Sequence, residues 1–454
     1  MSTAEETSVN VSRVIDTSTI KPFHALVIGL CALIAILDGF DTQAIAFVAP
    51  SIAEEWKIGM SSFGPVFSAG LVGLTFGAVL FSPLADKFGR RSIILASVLI
   101  FGSFGFLTAF ASSITELLVL RFLTGIGLGA AMPNLIALTA EYSPAKTRNL
   151  CVTLMFCGFP LGAVIGGVIS NYLIAAYDWH HVFYVGGALP VLLLPILWRL
   201  PESPRFLVTK GGAGDKLAKI LARLDDQSQY SPASRYFLSE ERQVAGSVAS
   251  LFAGGRAPGT LMLWVAFFCN LLVMYFLINW LPSVLRQAGH PLNRAIMATV
   301  LFNMGGVLGG VAIGYLIDRW GAYKVLITAY LAGSLATIIL GAVALDINML
   351  MAIVFCAGVG LMGGQLGLNA LAAGFYPTHS RSTGVGWALG FGRVGSIIGP
   401  LVGGYLLSLN WDMQQLYLTA AVPALVAALM IFGISRATKT SDVSPNKIEP
   451  TPIK

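Results

Sequence analysis

The chain has 454 residues, of which 56% are hydrophobic and only 11% are charged, and its formal net charge is +6. Soluble domains carry about a quarter charged residues, so this composition excludes an ordinary soluble enzyme and indicates a polytopic membrane protein. The positive charge therefore does not indicate a nucleic-acid partner. The five cysteines fall in apolar segments without metal-ligand spacing, so we expect neither a metal nor a cofactor.

Apolar segments of roughly 20 residues recur along the chain, and each is long enough as a helix to cross about 30 Å of hydrocarbon. The fifty glycines favour close contacts between such helices. The sequence therefore predicts an all-α protein with twelve transmembrane helices. The predicted spans are 24–50, 61–84, 92–112, 114–140, 150–173, 180–200, 259–283, 294–317, 323–345, 348–374, 383–408 and 414–435.

The longest polar stretch, residues 201–258, separates six predicted spans from the other six. It is rich in charged residues, Gly and Ser, and its segment GDKLAKILARL has the pattern of a short amphipathic helix. We therefore interpret it as a cytoplasmic linker. The remaining predicted units are an N-terminal tail (1–23), an N-terminal bundle (24–200), a C-terminal bundle (259–435) and a C-terminal tail (436–454).

Lys and Arg are distributed unevenly between the two sides of the predicted bundle. Of the 28, Lys57, Arg286 and Arg294 lie on one side, and Arg121 and Arg393 lie within spans. All the others lie on the side of the linker and both termini. By the positive-inside rule that side is cytoplasmic, so we expect a multi-pass protein of a bacterial inner membrane with both termini inside.

The two halves of the chain repeat each other. GIGLGAAMPNLIALTAEYSPAKTR (125–148) aligns without gaps with GVGLMGGQLGLNALAAGFYPTHSR (358–381). SPLADKFGRR (82–91) aligns in the same way with GYLIDRWGAY (314–323). Duplicated parallel halves are typical of alternating-access transporters, so we predict two pseudo-symmetric six-helix bundles.

These motifs carry a resemblance to a known family. SPLADKFGRR and GYLIDRWGAYK resemble the two loop signatures of the major facilitator superfamily, although Ser82 stands where the signature normally has Gly, and RFLTGIGLGA (121–130) resembles its fourth-helix motif. LDGFDTQAIAFVAP (37–50), NLLVMYFLINWLP (270–282) and GFGRVGSIIGP (390–400) resemble its aromatic acid:proton symporter family, which includes 4-hydroxybenzoate and protocatechuate transporters. The resemblance covers nearly the whole chain and implies proton-coupled uptake of an aromatic acid.

Acidic residues that the repeat does not share are candidates for proton coupling. A charge at a helix centre costs about 2.5–3.5 kcal/mol on insertion scales, so function is the simplest account of Asp38 and Asp41. They lie three residues apart on one helical face, and neighbouring carboxylates in a low-dielectric cavity are costly to ionise together. We predict that at least one carries a proton, while Asp38 could instead anchor the helix. Glu141 either relays protons or pairs with Arg148 or another loop base.

Arg121 and Arg393 are also absent from the repeat. Because arginine cannot neutralise itself, each must face an acid, an anion or water. We predict that both bind the substrate carboxylate, and the alternative is an interhelical ion pair with Asp38, Asp41 or Glu141. Side chains that could hold the aromatic ring and its hydroxyls are Tyr275, Asn279, Trp280, Gln365, Asn369 and Trp387.

Charges that do recur at the linker-side helix ends predict a gate. An acid at one helix end can pair with a base at another, which would hold the outward-open state together, and the alternative is plain topogenic charge. The predicted gate consists of Asp86, Arg90, Arg91, Arg148, Asp318, Arg319, Lys324 and Arg381.

The sequence thus predicts a secondary transporter and no enzyme. It would import an aromatic carboxylate of the benzoate, hydroxybenzoate or protocatechuate class with protons, and its partners would be substrate, protons and the bilayer; a monomer is expected. One alternative is a symporter of another organic anion or of a sugar, since PESPRFL (201–207) also resembles sugar symporters. The seventh span, however, lacks the paired glutamines associated with sugar binding. Another alternative is a transporter-like receptor.

Overall fold

A computed structural model describes residues 8–225, 230–239, 248–341, 346–377 and 380–440. Twelve helical segments within these ranges are long and apolar enough to cross a membrane. The predicted all-α, twelve-span fold is therefore confirmed. Most of the predicted C-terminal tail lies outside the described residues.

The N-terminal half and the linker contain ten α-helices, three short 3-10 helices and two short strands within the described residues. Helices α6 and α7 follow each other within a single span. The elements are β1 (Ser8–Asn10), α1 (Val11–Thr17), α2 (Pro22–Trp56), α3 (Phe63–Phe88), α4 (Arg90–Leu107), α5 (Ile114–Tyr142), α6 (Arg148–Phe156), α7 (Gly158–Ala176), α8 (His180–Leu197), α9 (Pro204–Lys210), α10 (Gly214–Leu224) and β2 (Arg235–Phe237).

The C-terminal half contributes six long helices. They are α11 (Ala257–Gln287), α12 (Leu292–Trp320), α13 (Ala322–Leu340), α14 (Ile347–Phe375), α15 (Arg381–Ser408) and α16 (Met413–Thr440). We call the end of the bundle that carries the linker the linker side. The opposite end, where short loops join α2 to α3 and α11 to α12, is the short-loop side.

Equivalent helices pack in equivalent pairs in the two halves. Helix α2 packs on α7 and α3 on α5, and in the second half α11 packs on α15 and α12 on α14. Glycines shared by the repeat lie at these crossings. A methyl group at Gly125 would clash with the backbone of α3, and one at Gly358 would clash with the backbone of α12. The repeat therefore preserves places where helix backbones touch.

The N-terminal tail and the linker form one small structure on the linker side of the N-terminal half. The predicted linker helix is confirmed as α10, whose apolar face is buried. Strand β1 pairs with β2 in parallel, and Val11 and Ile15 of α1 pack in the same hydrophobic cluster as Leu217 and Leu221. This pairing was not predicted, because short strands with a distant partner carry no local periodic signal.

The two halves meet closely on the short-loop side. The Ser68 hydroxyl of α3 donates a hydrogen bond to the Ile397 carbonyl of α15 at 2.7 Å. The Phe67 ring meets Trp280 edge-on, with ring centroids 5.1 Å apart. Contacts of this kind close the short-loop side.

The same two helices diverge toward the linker side. Val79 lies on the same face of α3 as Ser68, about three turns further along, and it is 67% exposed. Gly386 lies on the same face of α15 as Ile397, again about three turns away, and nothing approaches within 4 Å of the position a methyl group would take there. The space between the halves is therefore open toward the linker side.

Candidate substrate and proton site

A cavity lies between the two halves at the middle of the long helices. Its lining combines polar side chains of α2 and α5 with residues of α11 from the other half. Asp41, Gln43 and Arg121 contribute from the first half, and Tyr275 and Asn279 contribute from the second. Both halves thus present polar groups to one central space.

Arg121 is buried in the wall of this cavity and pairs with Asp41. Its Nη1 lies 3.3 Å from Asp41 Oδ2, and its Nη2 donates to the hydroxyls of Thr108 at 2.7 Å and Thr124 at 3.1 Å. Phe183 places its ring face under the guanidinium, 5.0 Å from the centroid. In this state the arginine is held by an internal acid, the ion pair foreseen as the alternative to substrate binding.

Asp38 is buried one turn before Asp41 and accepts a hydrogen bond from the Thr42 hydroxyl at 3.1 Å. Its backbone neighbour Gly39 packs directly on the Phe159 carbonyl of α7, which fixes the rotation of α2 about its own axis. Asp41 lies one turn further along the same face of the helix. The two acids therefore form one cluster on α2.

Arg393 differs from Arg121 in having no partner for its guanidinium among the described residues. It lies half-buried on α15, and its backbone carbonyl accepts a hydrogen bond from Ser396. It is therefore an intramembrane cation that is available to an anion.

A chain of amides lies in the second half. Asn270 Nδ2 donates to Gln365 Oε1, and Gln365 Nε2 donates to Asn369 Oδ1 at 3.0 Å. Asn270 Oδ1 is buried and accepts no hydrogen bond from the described residues. The structure thus joins the predicted Gln365 and Asn369 to a third amide, Asn270, that the sequence did not single out.

The remaining predicted ring-binding residues separate into two groups. Tyr275 and Asn279 line the cavity. Trp280 packs instead against Phe67 of the other half and donates to the Pro400 carbonyl of its own half at 3.0 Å. Trp387 is 48% exposed and stacks on Trp264, with ring centroids 5.8 Å apart, and the structure does not bring it to the cavity.

Glu141 lies at the linker-side end of α5, far along the helix from Arg121. Its Oε1 lies 2.8 Å from Arg90 Nη2, and its other oxygen accepts a hydrogen bond from Ser203. Arg148, the partner named first in the sequence prediction, pairs with Asp16 of α1 instead. Glu141 is thus paired with a basic residue near the linker, which was the predicted alternative to a proton relay.

The predicted gate residues fall into two groups, with and without a side-chain or backbone partner. Arg90 pairs with Glu141, Arg148 pairs with Asp16, and Arg91 donates to the Trp198 carbonyl at 2.6 Å. The other members are exposed and have no side-chain partner in the part of the chain that the structure describes. These are Asp86, Asp318, Arg319, Lys324 and Arg381.

Several residues of the site carry no signal in the sequence. Thr108 lies in a short 3-10 turn after α4 and Phe183 lies on α8, and neither position is unusual for a membrane helix. Gln43 was visible as a polar residue within a span, directly after the two aspartates. Among the described residues no group of three or more His, Cys, Asp or Glu side chains could hold a metal ion.

Twelve apolar helices in two repeated groups, with a polar cavity between them, define a multi-pass membrane protein of the secondary-transporter class. The chain matches the Major Facilitator Superfamily over residues 31–312 and 263–453. It belongs to that superfamily and, within it, to the aromatic acid transporters.

The chain is similar over nearly its whole length to curated relatives. It is 42% identical to the 4-hydroxybenzoate transporter PcaK of Pseudomonas putida, over 93% of the chain and 95% of the relative. It is 42% identical to a gallate transporter of the same species, over 94% and 96%, and 35% identical to a benzoate transport protein of Acinetobacter baylyi, over 98% of each.

Solved structures share the fold. The inward-open xylose transporter XylE of Escherichia coli superimposes with a TM-score of 0.71 at 19% identity, over 90% of this chain and 96% of that one. An inward-facing, unoccupied bacterial homolog of the human lysosomal transporter Spinster gives a TM-score of 0.70 at 18% identity, over 94% and 100%. At these identities the likeness concerns the fold alone.

Proposed function

We propose that this protein imports an aromatic carboxylate together with protons by alternating access. The observation that carries the proposal is the Arg121–Asp41 pair in the wall of the central cavity. A buried ion pair can exchange one partner for another of the same sign, so protonation of Asp41 frees Arg121 for a substrate carboxylate. Relatives at 35–42% identity that are named for 4-hydroxybenzoate, gallate and benzoate support the substrate class.

We place the linker side in the cytoplasm of a bacterial inner membrane, with both termini inside. The excess of Lys and Arg on that side supports this orientation. The opening between α3 and α15 on the linker side then makes the described state inward-facing. The predicted N-terminal tail, bundles and linker serve as the units that move in the cycle, and we propose that a monomer suffices because each chain encloses its own cavity.

Asp41 is the acid best placed to couple protons to substrate. It touches both Arg121 and the cavity, whereas Asp38 bonds to Thr42 of its own helix. Asp38 adds a second negative charge nearby, which favours a proton somewhere on the pair. Glu141 is held by Arg90 and Ser203 at the linker-side end, so we assign it to the closure of that side rather than to the first protonation.

Arg393, which belongs to the second half, is the cation that binds the substrate carboxylate. An arginine without an internal partner can present a fork of two N–H groups to both carboxylate oxygens. The amide chain of Asn270, Gln365 and Asn369 on α11 and α14, together with Tyr275 and Asn279, then provides donors and acceptors for ring hydroxyls. Substrate would thus bridge the two halves, which gives binding a direct effect on their separation.

The exposed gate residues fit the same cycle. When the linker side closes, Asp86 approaches the base-rich end of the other half, and Asp318 with Arg319, Lys324 and Arg381 approaches the first half.

A carboxylate substrate moves against an inside-negative potential, at about 2.3 kcal/mol per elementary charge per 100 mV. One proton makes the cycle electroneutral, and a second would also use the voltage.

The test is accumulation by Asp41→Asn in proteoliposomes. We expect an imposed pH gradient to drive no uphill uptake of labelled 4-hydroxybenzoate or benzoate, while exchange of internal for external substrate continues. Exchange needs substrate movement in both directions but no net proton transfer. Glu116→Gln, which changes an acid on the short-loop surface, is the control and retains uphill uptake.

Unchanged uphill uptake by Asp41→Asn would refute the required role of Asp41. Binding without any uptake by the unmodified protein would support the receptor alternative. A panel that includes xylose tests the sugar alternative, for which we expect no uptake.

A further inference from the structure

Gln43 of α2 and Asn303 of α12 form a reciprocal amide pair across the boundary between the two halves. Gln43 Nε2 donates to Asn303 Oδ1 at 2.9 Å, and Asn303 Nδ2 donates back to Gln43 Oε1 at 2.9 Å. Asn303 Nδ2 also donates to the Thr299 carbonyl at 2.9 Å. Both side chains are buried, so each amide satisfies the other where water has little access.

The pair stands out among the polar contacts between the halves. Within the described residues the other two such hydrogen bonds join Ser68 to a backbone carbonyl of α15 and Arg286 to Glu54. The Arg286–Glu54 ion pair is exposed, and exposed ion pairs contribute little. Gln43 and Asn303 thus form the buried side chain–side chain link between the halves.

The position of the pair connects the central cavity to the closed side. Gln43 lines the cavity together with Asp41, which lies two residues earlier on α2. Nearby, Gly167 of α7 packs so tightly on Val300 of α12 that a methyl group at the glycine would clash. Gly167 and Gln43 belong to the same half, so moving that half away from α12 would break both contacts together.

We propose that Gln43 and Asn303 are positioning residues that latch the short-loop side shut and hold α2, with its two acids, against the second half. Opening the short-loop side breaks both hydrogen bonds and transfers both amides to water. The latch therefore sets how the protein divides its time between the two states. This inference rests on the alternating access of the proposed function, but on neither the identity of the substrate nor the proton role of Asp41.

The test measures the width of the short-loop side directly. Spin labels are introduced as genetically encoded unnatural amino acids at Thr115 of α5 and Arg294 of α12, both exposed on that side, which leaves the five native cysteines in place. Distances are recorded by pulsed electron paramagnetic resonance on the full chain in lipid nanodiscs without substrate. We expect a dominant short distance in the otherwise unmodified protein.

Gln43→Ala and Asn303→Ala should each raise the population with the long distance roughly tenfold, because two buried hydrogen bonds are lost from the closed state alone. The double variant should shift the population no further than the larger single effect, since the same two bonds are lost either way. Asn303→Leu keeps most of the volume and should give the same shift if the alanine variant does not fold.

Asn134→Ala is the matched control, because Asn134 is a buried amide of the same half that donates to the Ala130 carbonyl of its own helix at 2.8 Å. It should leave the distances unchanged. Unchanged distances in the Gln43 and Asn303 variants, additive shifts in the double variant, or an equal shift in Asn134→Ala would each overturn the proposal. The readout needs no transport, so an Asp41→Asn variant that still accumulates substrate would refute the coupling role and leave the latch standing.

Discussion

The two halves of the molecule use charge in opposite ways. In the first half, Asp41 and Arg121 neutralise each other, and Thr108, Thr124 and Phe183 surround the guanidinium. In the second half, Tyr275 and Asn279 line the cavity, the amides of α11 and α14 bond to one another, and the charge of Arg393 has no partner among the described residues. We call these groups the second wall, and those of the first half the first wall. The difference suggests a division of labour, in which the first half handles the proton and the second half receives the anion.

The largest effect on stability is expected when one partner of the Arg121–Asp41 ion pair is removed. Arg121→Ala leaves Asp41 buried without a counter-charge, which should cost about 3–5 kcal/mol of folding free energy. Removing both partners in Arg121→Ala with Asp41→Ala should recover most of that loss. Thermal unfolding in detergent, monitored by size-exclusion fluorescence, measures both. An equal loss in the single and double variants would show that the pair is not a unit.

The second wall should respond in the opposite manner. Arg393→Ala should leave stability nearly unchanged, because no partner is abandoned, but it should weaken substrate binding about 10–100-fold, the value of a charge-assisted hydrogen bond of about 1.5–3 kcal/mol. Arg393→Lys keeps the charge and should lose less. Equilibrium binding of labelled 4-hydroxybenzoate measures the difference. Destabilisation comparable to Arg121→Ala would remove the contrast between the two walls.

The amide chain of the second wall allows a finer comparison. Gln365→Leu leaves Asn270 Nδ2 without its acceptor and Asn369 Oδ1 without its donor. The loss should lower the free energy of unfolding by about 1–3 kcal/mol. Asn270→Leu should cost less, since it also removes a carbonyl oxygen that already lacks a partner. Thermal unfolding of the two variants in parallel shows which one is destabilised more. A larger loss in Asn270→Leu would mean that the three amides are not hydrogen-bonded as described.

The smallest effect is expected at the support of Arg121. Thr108→Val removes one of three polar partners of the guanidinium and should cost about 1 kcal/mol. Thr108→Ser keeps the hydroxyl and serves as the control. A change in the pH dependence of uptake, found with valine and absent with serine, would connect this hydroxyl to the function of the first wall.

The sequence was sufficient for the twelve spans because each span is a long apolar run, and the bilayer demands that property locally. It also singled out Asp41, Arg121 and Arg393, since charges within such runs are rare, and the structure places the first two together at the cavity. It could not choose between substrate and Asp41 as the partner of Arg121. That choice depends on the rotation of α2, which Gly39 fixes against Phe159 of a different helix.

The sequence could not predict the contacts of several other residues, also because these contacts depend on tertiary packing. Trp280 and Trp387 look alike as aromatic residues in spans, but one is buried between the halves and the other is exposed beside Trp264. Whether a side chain faces the other half or the outside depends on how its helix is rotated against neighbouring helices, and tertiary packing sets that rotation. Gln43 and Asn303 are distant in the chain, so the reciprocal bonds between them appear only when the two halves are folded together.

The pairing of β1 with β2 has a consequence for biosynthesis. Asn10 and Ser239, which are hydrogen-bonded beside this sheet, are 229 residues apart in the chain. Strand β1 must therefore wait until the six spans between it and β2 have been synthesised before it finds its partner. A bulky tag fused ahead of β1 would be carried into that late docking step.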